Sequence, residues 1–128
     1  MEWKNLSYIF LVVVPLYPQR VRKSHLKFSR LNHIFISHLH GDHCFGLLGL
    51  ISTLNLLGRT AELHIHSPKG LETLLTPMLD FFNRQMTYKI LFHEFDTKEP
   101  MLIYEDRSLM VTTIPLRHRM PCCGFLFA

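Results

Sequence analysis

Cysteine, acidic residues and long apolar runs are all scarce in this chain of 128 residues. The three cysteines are Cys44, Cys122 and Cys123, and an odd count without spaced pairs excludes a disulfide framework. We expect all three thiols to be reduced, which predicts a cytoplasmic location. The longest apolar run, residues 8–14, is shorter than the roughly 20 residues of a membrane-spanning helix, so we expect no membrane segment.

Acids are nearly missing from the first third of the chain. Glu2 is the only acidic residue before Asp42, whereas residues 1–30 carry six lysines and arginines, and the net charge is +4. Such a stretch is either a solvated basic surface or a region attracted to a polyanion such as RNA. Charge alone leaves both interpretations open.

Apolar side chains make up 48% of the residues, enough to build a core. Their spacing mixes strand and helix periods without an internal repeat, so we predict one α/β domain. The pair Ser67-Pro68 has the pattern of an N-cap followed by a first-turn proline, which predicts that a helix starts there, with an apolar stripe over 71–82 and a kink at Pro77. The other helix is predicted over 45–57, ending at Gly58. Strands are predicted over residues 8–14, 33–37, 62–66, 88–92, 102–104, 109–114 and 125–127.

The densest chemical signal is the segment His38-x-His40-x-Asp42-His43, in a chain that has nine histidines. Four potential metal ligands fall within six residues, at a predicted strand-to-helix turn. Histidines two residues apart on extended chain point the same way, and Gly41 permits a sharp turn. Neutral imidazoles and carboxylates are the ligands of catalytic zinc, so the segment predicts a metal site.

Three blocks of this sequence resemble a known family. The first is FISHLHGDH at residues 35–43, followed by Phe45-Gly46-Leu47 and Gly49-Leu50; the second is PLRHR at 115–119, followed by Pro121 and Gly124-Phe125. The third is ELHIHSPKGL at residues 62–71. They resemble the metallo-β-lactamase superfamily and, within it, the ribonuclease Z family of tRNA 3′-processing endonucleases. The likeness runs from about Lys27 to the end of the chain, and residues 1–20 are poorly matched.

The resemblance implies a fold and a set of roles. The fold would be α/β, a partial and truncated metallo-β-lactamase-like αβ/βα sandwich that forms a single domain over residues 1–128. His38, His40 and His118 would bind one zinc ion, while Asp42 and His43 would belong to a second. Asp42 would also be catalytic, through proton transfer during phosphodiester hydrolysis.

Substrate and partners follow from the same resemblance. Arg117 and Arg119 flank the third histidine and would contact phosphate of a precursor tRNA. A bridging aspartate and a further histidine of the family have no counterpart before Ala128, so we expect one zinc ion instead of the family's two, and impaired activity. We also expect a homodimer, because a partial sandwich exposes apolar strand surface. Two alternatives stay open: another hydrolase of the superfamily, such as an arylsulfatase or phosphodiesterase, or a zinc-binding fragment without catalytic activity.

The remaining histidines are assigned no ligand role. His64 and His66 share one face of a predicted strand and are interpreted as structural or surface residues. His25, His33 and His93 are interpreted as ordinary surface or capping residues.

Overall fold

A computed structural model describes residues 8–12, 31–37, 39, 41–107, 109–116 and 123–128, with side chains for all of these except 8–12 and 41–45. Strands and helices alternate over the first part of the chain, and strands follow one another over the rest. The described elements are β1 (Tyr8–Val12), β2 (Leu31–Ile36), α1 (Gly41–Leu56), β3 (Leu63–Pro68), α2 (Leu71–Phe82), β4 (Ile90–Phe95), β5 (Leu102–Glu105), β6 (Met110–Pro115) and β7 (Cys123–Phe127).

The first sheet is parallel, with the strand order β1-β2-β3-β4. Parallel neighbours need crossover connections, and α1 and α2 supply those from β2 to β3 and from β3 to β4. In the register of this sheet, His33 lies opposite His64, and Phe35 lies opposite His66. Chain direction therefore brings the carboxyl ends of all four strands to one edge of the sheet.

Alternate residues of β2 face opposite sides of this sheet, as strand geometry requires. On one side, Ile34 and Ile36 pack into the hydrophobic core beneath the two helices. The other members of this core, all buried, are Leu31, Leu47, Leu50, Ile51, Leu54, Leu63, Ile65, Leu71, Leu75, Leu79 and Tyr88.

The opposite side of the first sheet carries Phe35 and packs on a second sheet, which is antiparallel with the order β5-β6-β7. The Phe35 ring lies 5.6 Å from that of Phe125 and 5.8 Å from that of Phe127, measured between centroids. The molecule is thus a two-sheet sandwich with both described helices on the outer side of the parallel sheet. This confirms the predicted α/β sandwich class.

The start of α2 corrects the sequence prediction. Ser67 and Pro68 are the last residues of β3, not the cap of a helix, because they continue the pairing with Glu94 and Phe95 of β4. The Ser67 hydroxyl is buried and donates to the carbonyl of Pro68 at 3.0 Å. The helix begins at Leu71, after Gly70 takes a positive φ of 111° that glycine adopts readily.

The apolar stripe of α2 is also narrower than predicted. Leu71, Leu75 and Leu79 are buried, whereas Leu74 and Phe82 are exposed. Pro77 lies inside this helix, as the sequence predicts.

The first helix begins four residues before the predicted start, at Gly41, and ends at Leu56. Gly58 follows with a φ of 80°, as expected of a helix-terminating glycine. Leu57, the last residue of the predicted helix, lies past the observed helix end and is exposed. Neither of the two helices described above is long and apolar enough to cross a membrane.

Candidate metal centre

The histidine motif lies where β2 ends and α1 begins. The strand ends at Ile36, the next residue, Ser37, is buried, and the helix begins at Gly41. The backbone of Asp42 and His43 therefore forms part of the first turn of α1. Ligand sites of open α/β sheets lie at this edge, outside the carboxyl ends of the strands.

The second sheet brings the other predicted ligand segment to the same edge. Strands β6 and β7 form a hairpin in which Pro115 pairs with Cys123, so the two ends of the intervening loop are adjacent. The backbone N–H of Cys123 donates to the carbonyl of Ser37 at 3.0 Å. Ser37 directly precedes His38, and the loop is the one that contains His118 in the sequence. One hydrogen bond thus joins the end of the His118 loop to the start of the histidine motif.

Leu39, the residue between His38 and His40, attaches the motif to the hydrophobic core. Its side chain packs on the hydrophobic core, and a Cβ added to Gly70 would lie 3.4 Å from its Cδ1 atom. The N–H of Gly70 in turn donates to the carboxylate of Glu94 on β4. The middle of the motif is therefore packed against the β3–α2 turn, and that turn is bound to the next strand.

The ligand side chains themselves lie outside the described residues. His38, His40, Arg117, His118 and Arg119 are outside completely, and of Asp42 and His43 only the backbone is described. Among the side chains that are described, no three of histidine, cysteine, aspartate or glutamate are arranged to hold a metal ion. The ligand set and the two phosphate-contacting arginines therefore stay predictions.

A cavity of about 240 Å³ opens at the carboxyl ends of β3 and β4, the same edge of the sheet. It is lined by Pro68, Lys69, Phe95, Asp96, Thr97 and Lys98. Its two lysines add positive charge beside the edge at which the motif lies.

Four histidines without a predicted role form a cluster that the sequence analysis missed. His33, His64, His66 and His93 come together on the side of the parallel sheet that faces the second sheet. The interpretation of His33 as an ordinary surface or capping residue is wrong, because it is partly buried and bonds His66. The available signal was the spacing of His64 and His66 on one strand face.

Comparison with known proteins places the chain in a family. The family model for the β-lactamase superfamily domain matches residues 11–128, and the chain belongs to this superfamily. The match begins at residue 11, within the first 20 residues, which the motif resemblance leaves poorly matched.

Two curated relatives of high sequence identity are both ribonuclease Z proteins. The chain is 77% identical over 109 residues to the ribonuclease Z of Bacteroides fragilis, covering 85% of this chain and 36% of that protein. It is also 77% identical over 108 residues to the ribonuclease Z of Bacteroides thetaiotaomicron, covering 84% and 34%. The predicted resemblance to ribonuclease Z is thereby confirmed, and the chain spans about 36% of the length of such relatives.

Solved structures give the same picture. The crystal structure of human tRNase Z, short form (ELAC1), superposes with a TM-score of 0.73 at 28% identity, covering 86% of this chain and 49% of the human chain. The metallo-β-lactamase fold protein YhfI of Bacillus subtilis superposes with a TM-score of 0.56 at 14% identity, covering 86% and 41%, which shows the shared fold alone.

Proposed function

We propose that this chain carries the zinc-binding part of a ribonuclease Z-type endoribonuclease, which hydrolyses a phosphodiester at the 3′ end of precursor tRNA. The observation that carries the proposal is the hydrogen bond from Cys123 to Ser37, which joins the two segments containing the predicted ligands. The ribonuclease Z relatives at 77% identity favour tRNA over the arylsulfatase and phosphodiesterase alternatives.

His38, His40 and His118 would hold one zinc ion. Leu39 packs on the core, and on extended chain the neighbours of such a residue face the opposite side. In the sequence His38 and His40 lie on either side of Leu39, the spacing at which two histidines on extended chain point the same way. Three histidines with one open position are a known catalytic zinc set, so the donor chemistry fits this metal.

Asp42 and His43 would serve a second metal, but only weakly in this chain. Two donors fall short of the three protein ligands that a catalytic zinc ion usually has. We therefore propose one tightly bound zinc ion per chain.

A bound zinc ion, the Asp42 carboxylate and nearby basic side chains would each have a separate role in the hydrolysis. A bound zinc ion supplies an activated water and stabilises charge on the attacked phosphate. Asp42 would hold and transfer a proton at its carboxylate. Arg117 and Arg119 would bind phosphate oxygens, with Lys69 and Lys98 adding positive charge at the same sheet edge.

A cytoplasmic location is part of the proposal. Three cysteines without spaced pairs, of which Cys123 is buried at the start of β7, are typical of a chain kept in a reducing compartment.

The proposed function is tested with precursor tRNA labelled at its 5′ end, incubated with the zinc-loaded chain and, in parallel, with the complete Bacteroides fragilis ribonuclease Z. We expect zinc-dependent cleavage that is slower than that of the complete relative and leaves a 3′-hydroxyl. Asp42→Asn should abolish the product while Asp80→Asn, which changes an exposed acid of α2, should not. Absence of product at high chain concentration would leave the zinc-binding fragment without activity as the function.

We also propose that the chain forms a homodimer through the outer face of its second sheet. Leu102, Ile114 and Leu126 lie on this face and are about half exposed, and Leu102 and Leu126 flank Thr112 in the register. A contiguous apolar sheet face is typical of an interaction surface.

Light scattering checks the dimer. The unmodified chain should have the mass of two copies, and Leu126→Lys should shift it towards one copy. Phe82→Lys, an exposed apolar residue at the end of α2, is the matched control and should leave the dimer intact. A monodisperse monomer of the unmodified chain would contradict this proposal. If the Phe82 variant were the only monomer, the interface would instead lie on the helices.

A further inference from the structure

Four imidazoles from three neighbouring strands form one connected group, the histidine quartet: His33 of β2, His64 and His66 of β3, and His93 of β4. Ring centroids are 4.8 Å apart for His33 and His64 and 5.4 Å for His33 and His66. They are 5.1 Å apart for His64 and His93 and 4.8 Å for His66 and His93. Each ring therefore stacks on two others.

Two hydrogen bonds between ring nitrogens hold the quartet together. Nδ1 of His33 lies 3.2 Å from Nε2 of His66, and Nδ1 of His64 lies 2.9 Å from Nε2 of His93. Such a bond needs one nitrogen with a proton and one without. Because a protonated imidazole has an N–H at both positions, two protonated partners lose the bond and repel each other.

The second sheet packs directly on the quartet. The Tyr104 ring of β5 lies 4.5 Å from that of His33, and Phe35, stacked 4.5 Å from His66, in turn contacts Phe125 of β7. The rings that separate the two sheets are thus mostly apolar. They offer few acceptors for additional N–H groups.

Among the residues with described side chains, the carboxylates that act on the quartet are those of Asp106 and Glu62. Asp106, after β5, accepts the hydroxyl of Tyr104 at 2.7 Å and acts on His33 through its charge. Glu62, before β3, lies 4.0 Å from Nε2 of His64 and is exposed. Neither carboxylate lies near His66, whose Nδ1 atom is buried without a hydrogen-bond partner among the described residues.

Burial keeps the inner rings neutral. Burial, together with the charges of His64 and His93, lowers the pKa of His33 to about 4, although Asp106 opposes this shift. Burial and the neighbouring histidines lower the pKa of His66 to about 3. Burial followed by the charge of His64 also lowers the pKa of His93.

We propose that the histidine quartet is an acid-sensitive contact between the two sheets, so that proton uptake by its rings separates the second sheet from the first. Separation breaks the hydrogen bond between Cys123 and Ser37, which is the backbone link from β7 to the end of β2. The contact is built from described residues alone and needs no metal ion.

The direction of the pH effect follows from the lowered pKa values. The open form has rings with the ordinary pKa of about 6.5, so below that pH it binds more protons than the closed form. The contact is fully stable above pH 6.5 and is lost as the pH falls towards 4. Between pH 7.5 and pH 5, each of His33 and His66 should raise the unfolding equilibrium constant about 30-fold.

Urea unfolding of the full chain at pH 7.5 and pH 5.0, with EDTA present throughout, tests the proposal. The unmodified chain should lose stability at pH 5.0, with amide exchange at Cys123 rising before exchange at Ile65. His66→Gln and His33→Asn should each reduce the pH dependence by about 30-fold in the unfolding constant. His25→Asn, which removes a histidine outside the quartet, should leave it unchanged.

A measurement on the unmodified chain covers the case in which a variant fails to fold. Nitrogen NMR of the imidazoles should show two rings that stay neutral below pH 5. The proposal would be overturned if every imidazole titrated near pH 6.5. It would also be overturned if the His33 and His66 variants showed the same pH dependence as the unmodified chain. Because EDTA removes metal, such a failure leaves the proposed function untouched.

Discussion

Replacing His38 with alanine is expected to lower the affinity of the chain for zinc at least about 100-fold. The proposed site has three histidines, and loss of His38 leaves two donors, His40 of the motif and His118 of the loop between β6 and β7. Removal of groups that merely orient zinc ligands already costs about 10–100-fold, so loss of a ligand should cost more. Competition with a chromophoric chelator measures the affinity, and circular dichroism shows whether the variant keeps its fold.

The matched control is His25→Ala, a histidine outside the motif, which should bind zinc like the unmodified chain. His118→Ala should behave like His38→Ala, because the hydrogen bond from Cys123 to Ser37 brings its loop to the same sheet edge. Unchanged affinity in the His118 variant would mean that the two segments do not share a metal ion.

Replacing Phe35 with alanine should reduce the free energy of unfolding by about 3–5 kcal/mol. Phe35 is completely buried at the centre of the contact between the sheets. Its ring stacks 4.5 Å from His66 and meets Phe125 and Phe127 edge-on, so truncation leaves a cavity lined by all three. Urea unfolding at pH 7.5 measures the loss.

Phe82→Ala is the control for this prediction. The Phe82 side chain is 65% exposed, so its truncation should change stability by less than about 0.5 kcal/mol. Equal losses in the two variants would show that the sheets do not pack through Phe35.

The histidine motif and its place in the fold could be predicted from the sequence because both are local. A short apolar strand, a glycine and an apolar helix follow one another over residues 31–56, and the structure has them in that order as β2, Gly41 and α1. The α/β class follows from the same alternation of periods. The predicted helix start, residue 45, lies four residues after the observed start at Gly41. Asp42 and His43 were treated as part of the turn, whereas their backbone already belongs to α1.

The end of β3 could not be predicted locally. Ser67-Pro68 has the composition of a helix start, but pairing with Glu94 and Phe95 keeps both residues in the strand. That pairing depends on the register of β4, which lies more than 20 residues further along. Long-range pairing here outweighs the local pattern.

The histidine quartet was missed for a related reason. Each histidine taken alone is more often a surface residue than a buried one, and His33, His66 and His93 are far apart in the sequence. Only the parallel register places Phe35 beside His66 and His66 beside His93. The burial of His33 and His66 depends further on contacts with Tyr104 of the second sheet, which the sequence pattern does not reveal.

Zinc per polypeptide, measured by elemental analysis of the purified and dialysed chain, tests the central claim most directly. The account predicts a value near one, held by His38, His40 and His118, with any second ion lost on dialysis. A value near zero would contradict the proposed metal centre, and two equally tight ions would contradict the single three-histidine site.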